Sequence, residues 1–515
     1  MMIRFMLVGF LLLFTKLAWA HGEVSIDTTI NSIMGPIAST AVSIIFYSVT
    51  FLGVQIPLIV IWLAVASVFF TFYFNFVNFR SFFHALRLVR GDYVDSSAEG
   101  EVTHFQALAT ALSGTVGLGN IAGVAVAISH GGPGATFWMI VVGLFGMSAK
   151  FLECTLGVKY RNENPDGSIS GGPMYYLSKG LAKHDMCGFG KFLAALFSIC
   201  LIGASLGGGN MFQVNQAYQQ IVSVTGGDSS FFADKAWLFG VIVAVLVGLA
   251  TIGGIKRIAQ ITEVLVPLMG GIYLLSALII IFLHIDQVPA AFTTIISQAF
   301  SPEGVEGGVL GVMIQGLRRG TFSSEAGVGT SAIAHSAVRT KEPITEGMVA
   351  LHEPFIDTVV ICTATALVIV ITGAYTHQEV GGVQLTSMAF GTVIDWFPYL
   401  LAIAVIVFAL STILAYSYYI VKASTYLFGE SSRNELIFRL IFCGFTIVGA
   451  TLKLGAVIDI SDAMFFSMAI VNIIGLYLLA PEIKQDLICY KRRLRSGGIK
   501  PSTSFFRKRE MKCKG

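Results

Sequence analysis

Long apolar stretches separated by short polar ones set the pattern of this chain. From residue 54 onward, eleven stretches offer the roughly 20 mostly apolar residues that a helix needs to cross a bilayer. They cover 54–77, 106–130, 135–157, 190–223, 236–254, 260–284, 305–336, 346–373, 396–424, 435–452 and 461–480. Ahead of them, residues 1–20 have the order of a signal peptide: Arg4, an apolar run over 5–14, then Ala18-Trp19-Ala20 before His21. A retained first span is the competing reading, for which that apolar core is short. Residues 21–53 read as an external segment, and the mixed positions of 27–52 suit an interface. The pattern predicts an all-α polytopic membrane protein.

Composition agrees. Of 515 residues, 55% are hydrophobic and 12% charged, against about 25% charged in an ordinary soluble protein. The net charge of +3 matters less than its distribution, because eleven of the 33 Lys and Arg residues follow Pro481. Residues 481–515 therefore read as a basic cytoplasmic tail lying against anionic headgroups, in preference to a nucleic-acid-binding segment. Eleven crossings from an external N-terminus place that tail inside. From residue 21 onward, only Lys235 and Lys453 then fall in outward segments. Residues 54–480 form the membrane domain. The seven cysteines include no CxxC pair, so neither a zinc site nor a disulfide framework is indicated.

Two spans are written as broken helices. The second carries Ser113-Gly114-Thr115-Val116-Gly117-Leu118-Gly119-Asn120, and the seventh carries a glycine-rich run over 316–330 that includes Arg318, Arg319 and Glu325. Unwound backbone is tolerated in a bilayer only where it is buried in protein or lines a cavity, and its freed N–H and C=O groups can then hold a ligand. Tight helix packing is the simpler use of such glycines. The two spans lie five apart and cross in opposite directions, however, which is the arrangement of an inverted repeat. Asn210 and Gln213 on the fourth span, and Ser411 and Thr412 on the ninth, add polar groups at similar depth. The arginine pair reads as a structural lock for the seventh span. Glu153, Glu263, Glu353 and Asp357, with His104, His130 and His335, fall near span ends, where contact with water is the ordinary reading. No carboxylate pair stands out as a proton relay.

The motifs resemble those of the alanine or glycine:cation symporter family. They are the 116–125 run Val-Gly-Leu-Gly-Asn-Ile-Ala-Gly-Val-Ala, then Gly131-Gly132-Pro133-Gly134 and Gly171-Gly172-Pro173-Met174-Tyr175-Tyr176. Arg319-Gly320-Thr321-Phe322-Ser323-Ser324-Glu325-Ala326-Gly327 and Glu353-Pro354-Phe355-Ile356-Asp357-Thr358 follow in the same order. The resemblance implies a LeuT-type fold of five plus five inverted helices with an extra N-terminal span. It also implies sodium-coupled import of a small neutral amino acid, alanine or glycine. By similarity, the amides at Leu118 and Gly119, with Asn120 and Gln213, take the substrate carboxylate. Carbonyls near Thr115, Thr321 and Phe322 take its ammonium, and Tyr416 stands at the side-chain pocket. Sodium falls between the carbonyls of Ser113 and Val116 and the Ala409, Ser411 and Thr412 positions.

This chain departs from the family in three places. Leu118 stands where threonine is usual, Ser324 where asparagine is usual, and Ala415-Tyr416-Ser417-Tyr418-Tyr419-Ile420-Val421 where Gly-Trp-Ser-Tyr-Tyr-Gly-Glu is usual. Tyr416 alters the pocket volume and adds a hydroxyl that needs a partner. Within transporters the alternative is proton coupling. Outside them it is an amino-acid sensor on the same fold. A channel would show a polar stripe running the length of several helices, and an enzyme would show a nucleophile–base pair or metal ligands; neither pattern is present.

Overall fold

The computed structural model describes residues 26–51, 53–93, 98–165, 167–251, 254–300, 307–377 and 381–499. The expected signal peptide and residues 500–515 of the basic tail lie outside these. Helices occupy every one of the eleven stretches. Seven of them are long and apolar enough to cross a membrane, and the bent pair His104–Thr115 and Gly119–Gly131 makes an eighth. The other three positions hold shorter or interrupted helices, Leu58–Tyr73, Ala236–Ala250 and Gly308–Ser324. Length and composition thus qualify eight spans, and the figure of eleven depends on counting these three as well.

Several rim helices are absent from the hydropathy pattern because they are short or amphipathic. They are Ile26–Ile45, Phe82–Val89, Pro173–Ala182, Val288–Phe300 and Val383–Gly391. Strands among the described residues form two small antiparallel hairpins, Ser48–Phe51 with Val54–Pro57 and Asn162–Glu163 with Ile169–Ser170. The last helix, Leu454–Arg495, continues past Pro481 with Ile483, Leu487 and Tyr490 buried, so the boundary at Pro481 falls inside a packed helix. Large apolar side chains such as Leu249, Phe282 and Ile403 remain exposed on the outer surface, where a bilayer and not water is their solvent.

Both glycine-rich spans are interrupted, and their breaks meet at the centre of the bundle. In the second, the helix starts on a capping box between Thr103 and Gln106, ends at Thr115, turns through 116–118 and resumes as a π-helix over Gly119–Gly123. The two halves are bent by 50°. In the seventh, the helix runs to Ser324, and Glu325, Gly327 and Gly329 then take positive φ of 54°, 83° and 98° before Ser331–His335. A β-carbon on Gly119 would lie 3.6 Å from the Cα of Ser323, so the two breaks touch.

Candidate functional site: two broken helices and a buried polar core

Hydrogen bonding shows what the break in the second span releases. The last helical bond runs from the Val116 N–H to the Leu112 carbonyl at 2.7 Å. The next two amides turn to side chains: the Gly117 N–H donates to Asn120 Oδ1 (2.9 Å) and the Leu118 N–H to Gln213 Oε1 (3.2 Å). The carbonyls of Ser113 and Gly114, which those amides would satisfy in a continuous helix, are therefore left at the helix end. The ninth span, Phe397–Phe428, packs against this end. A β-carbon on Gly117 would lie 2.4 Å from Thr412 Oγ1, so only glycine lets the hydroxyl approach the backbone this closely. The Ser411 and Thr412 hydroxyls are both buried without a hydrogen-bond partner. Buried orphan hydroxyls cost free energy unless something else meets them. Freed carbonyls at a helix end that the orphan Thr412 hydroxyl approaches are oxygen ligands of the kind a small hard cation takes. Ser113, Val116 and Ala409 are buried, and the Ser113 hydroxyl donates to the Thr110 carbonyl at 2.7 Å.

The residues expected at the amino-acid site also converge, with most of their polar atoms engaged. Asn120 braces three spans: besides accepting from Gly117, its Nδ2 donates to Asp357 Oδ1 (2.5 Å) and to Ser323 Oγ (3.2 Å). Gln213 Nε2 donates to the Gly208 carbonyl at 2.9 Å, tying the second span to the π-helix Gly207–Met211 of the fourth. Thr115 is buried, with its hydroxyl turned back to the Ala111 carbonyl. Thr321 and Phe322 lie in the last helical turn before the break, not within it; Thr321 already accepts from the Glu325 N–H at 2.9 Å. The Phe322 ring packs edge-on to Phe212 and against Phe465 at 5.6 and 5.0 Å.

Tyr416 finds its partner in a residue that sequence reasoning left out of the site. Its hydroxyl donates to Glu325 Oε1 at 2.5 Å, and the Thr330 hydroxyl holds the other carboxylate oxygen. The ring lies flat on Gly209, where any β-carbon would meet it at 2.1 Å. Tyr416 therefore links three elements: the ninth span, the bulged fourth span and the break of the seventh. Glu325 does not pair with the arginines. Arg318 and Arg319 both bind Asp462 on the last span, Arg318 at 2.6 Å, and Arg318 also lies over the Phe46 ring at 4.1 Å.

Most of the acids and histidines read as facing water are buried instead. Glu153, Glu353, Asp357 and His335 are fully buried and His104 nearly so, whereas His130 is exposed and Glu263 partly buried. Hydropathy gives a residue's place along a span but not its neighbours. His335 bridges Glu346 and Glu353, with 2.5 Å at each ring nitrogen, and His104 reaches the other oxygen of Glu346. Lys150 sits 3.3 Å from Glu353 and 3.9 Å from Glu153, and it bonds Ser331. Asn472 Nδ2 donates to Glu153 (3.0 Å) and to the Gly327 carbonyl (3.0 Å). This network pins the lower half of the seventh span to the second, third, eighth and eleventh. A neutral imidazole has one N–H, so the two carboxylates flanking His335 hold one more proton between them and the ring. Cys154 also approaches His335 and Glu353, within 4.8 Å, but both ring nitrogens are already engaged and the Lys150 ammonium stands alongside. With the ring nitrogens on carboxylates and an ammonium alongside, these contacts read as an ion-pair and hydrogen-bond network. The sequence singles out no carboxylate pair, whereas the fold brings Glu346 and Glu353 together across His335.

Comparison with known proteins fits this geometry. The model of the sodium:alanine symporter family matches residues 39–504. The sodium/alanine symporter AgcS of Methanococcus maripaludis is 37% identical, over 84% of this chain and 93% of its own. Two relatives from Bacillus subtilis are the probable sodium/glutamine symporter GlnT, at 31% identity over 85% and 89%, and the putative sodium/proton-dependent alanine carrier YrbD, at 34% over 80% and 86%. Among solved structures, MhsT in complex with L-phenylalanine superposes with a TM-score of 0.51 at 14% identity, over 73% of this chain and 89% of that one. The shared architecture is the LeuT-type fold. A transporter and not an enzyme, this chain belongs to the sodium:alanine symporter family.

Proposed function

We propose that the protein imports a small neutral amino acid, alanine or glycine, together with sodium, by alternating access across a cell membrane, with its N-terminus outside and its tail in the cytoplasm. The observation that carries this reading is the orphan Thr412 hydroxyl, set over Gly117 at the break of the second span, with a second orphan hydroxyl on the adjacent Ser411. Sodium takes the carbonyls of Ser113, Val116 and Ala409 and the two hydroxyls. The substrate carboxylate takes the Leu118 and Gly119 amides, displacing Gln213 Oε1, which occupies the Leu118 N–H in this arrangement. Its ammonium faces the helix-end carbonyls near Thr115, Thr321 and Phe322, where the helix dipole favours a cation. Asn120 holds the break in shape. Because ion and substrate order the same unwound backbone, each raises affinity for the other.

Two substitutions separate the ion site from the pocket. Thr412→Ala removes one oxygen from the ion site, and the sodium concentration for half-maximal uptake rises roughly tenfold, equivalent to about 1.4 kcal/mol. Its amino-acid preference stays as it was. Tyr416→Trp enlarges the ring over Gly209 and breaks the bond to Glu325, so the order of preference among competing amino acids changes more than the sodium dependence does. If both variants alter only protein yield, the assignment of these residues has no support.

Proton coupling is the second reading, and the contact of both His335 ring nitrogens with buried carboxylates of Glu346 and Glu353 is what favours it. Uptake driven by an inward proton gradient with sodium absent, and lost in His335→Gln, would establish it.

A further inference from the structure

At the rim where the first span ends, the chain makes a costly turn. Asn75 and Phe76 both take left-handed angles, φ 51° and 55°, which Asn tolerates and Phe seldom adopts. The turn brings Val77–Arg80 and Phe82–Val89 alongside the extension of the last helix. Between them lies a cavity of about 480 Å³. Arg80, His84, Lys484, Lys491 and Arg495 line it, and no carboxylate does. The acids on the same faces are engaged elsewhere: Asp486 by Lys159, and Glu342 by Arg493 at 2.6 Å. Among the described residues, Arg80, Lys484, Lys491 and Arg495 make no ion pair; Lys484 lies over the Tyr73 ring at 4.0 Å. Lys491 is half-buried, and burial together with the neighbouring Arg80 and Arg495 pushes its ammonium below the ordinary lysine range. Four cations around one concavity with no counter-charge repel one another, and an anion in their midst removes that cost.

We propose that this cavity is a binding site for the phosphate headgroup of an anionic phospholipid. Phosphate oxygens accept charge-assisted bonds from guanidinium and ammonium groups in such a cradle. Soluble phosphate offers the same chemistry. The flanks of the cavity favour the lipid: Ile488 lines it and is exposed, and Phe72, Phe79 and Phe83, each next in sequence to a lining residue, are exposed as well. Such residues at the edge of a membrane domain lie among acyl chains. The cavity therefore sits at headgroup depth with apolar side chains on the lipid side. This site lies apart from the broken helices and does not depend on which amino acid or ion is carried.

The test uses the purified full-length protein in a neutral detergent, titrated with phosphatidylglycerol, with phosphatidylcholine of the same acyl chains, and with inorganic phosphate. Lipid retained by the protein is read by native mass spectrometry. Phosphatidylglycerol is expected to bind tightly and phosphatidylcholine weakly. Arg80→Gln with Lys491→Gln should weaken phosphatidylglycerol binding by roughly thirtyfold. A control that removes the same charge elsewhere, Lys191→Gln with Arg433→Gln, should leave it within about twofold. Arg495→Gln, an exposed position, provides a milder second variant should the double variant fold poorly. Equal weakening by the control pair, or no weakening in Arg495→Gln and the double variant, overturns the site. Displacement of the lipid by equimolar inorganic phosphate overturns the lipid as its occupant.

Discussion

Replacing Lys150 with methionine destabilises the protein by about 3–5 kcal/mol, the cost of leaving buried carboxylates without their cation. Methionine keeps most of the side-chain volume, so the loss is electrostatic and not a cavity effect. Lys150 is fully buried, within 3.3 Å of Glu353 and 3.9 Å of Glu153, and it bonds Ser331 at the foot of the broken seventh span. Removing it strands Glu153 most severely, since one of its oxygens already lacks a hydrogen-bond partner. Glu353 keeps His335 and Ser331. The companion variant Lys150→Met with Glu153→Gln removes the stranded charge and recovers a large part of the loss. Thermal unfolding of the purified protein in one detergent measures both. A melting temperature in Lys150→Met equal to that of the parent would mean that the network carries no net stability.

The second large effect falls at Gly117. Alanine there places a methyl group 2.4 Å from Thr412 Oγ1 and 3.3 Å from Gln213 Oε1. The ninth span must then move away or Thr412 must rotate, and either change separates the hydroxyl from the freed carbonyls of the second span. Gly117→Ala is therefore expected to lower sodium-driven uptake at least a hundredfold at moderate sodium, a loss of about 2.7 kcal/mol or more. Adding Thr412→Ala removes the closest contact and leaves Gln213 Oε1 at 3.3 Å, the end of a flexible side chain, and Cβ of residue 412 at 3.6 Å. The double variant then regains the melting temperature of the parent and still lacks its sodium dependence. Uptake restored along with stability would show that the hydroxyl does not hold the ion.

Much of this was legible from the order of residues, and the limits have physical causes. The break at 113–120 could be read because two glycine-rich spans lie five apart and cross in opposite directions, which tight packing alone does not require. The break of the seventh span falls in the second half of the glycine-rich run 316–330. Its first glycines, Gly316 and Gly320, remain helical and sit against the third span, where a β-carbon would meet Ala135 O at 2.4 Å and Val142 Cγ1 at 2.5 Å. The chain leaves the helix at Glu325, a non-glycine residue with positive φ that no glycine count anticipates. The need of Tyr416 for a hydrogen-bond partner was readable from its chemistry; the identity of that partner, 91 positions earlier, was not. Glu353 and His335 looked like ordinary span-end residues when taken alone, because their meeting with Lys150 and Glu346 comes from long-range packing. Asp462 was passed over although an acid inside an apolar run is a default functional signal; it anchors both arginines of the seventh span.

The account rests on sodium being held at the junction of the second and ninth spans, and uptake under a defined gradient tests it most directly. Purified protein in proteoliposomes is given labelled alanine with an inward sodium gradient, and in parallel with a matched potassium gradient. The account predicts concentrative uptake with sodium alone, competed by unlabelled alanine or glycine and strongly reduced by Thr412→Ala. Equal uptake under sodium and potassium, or sodium-driven uptake indifferent to Thr412→Ala and Gly117→Ala, would contradict it.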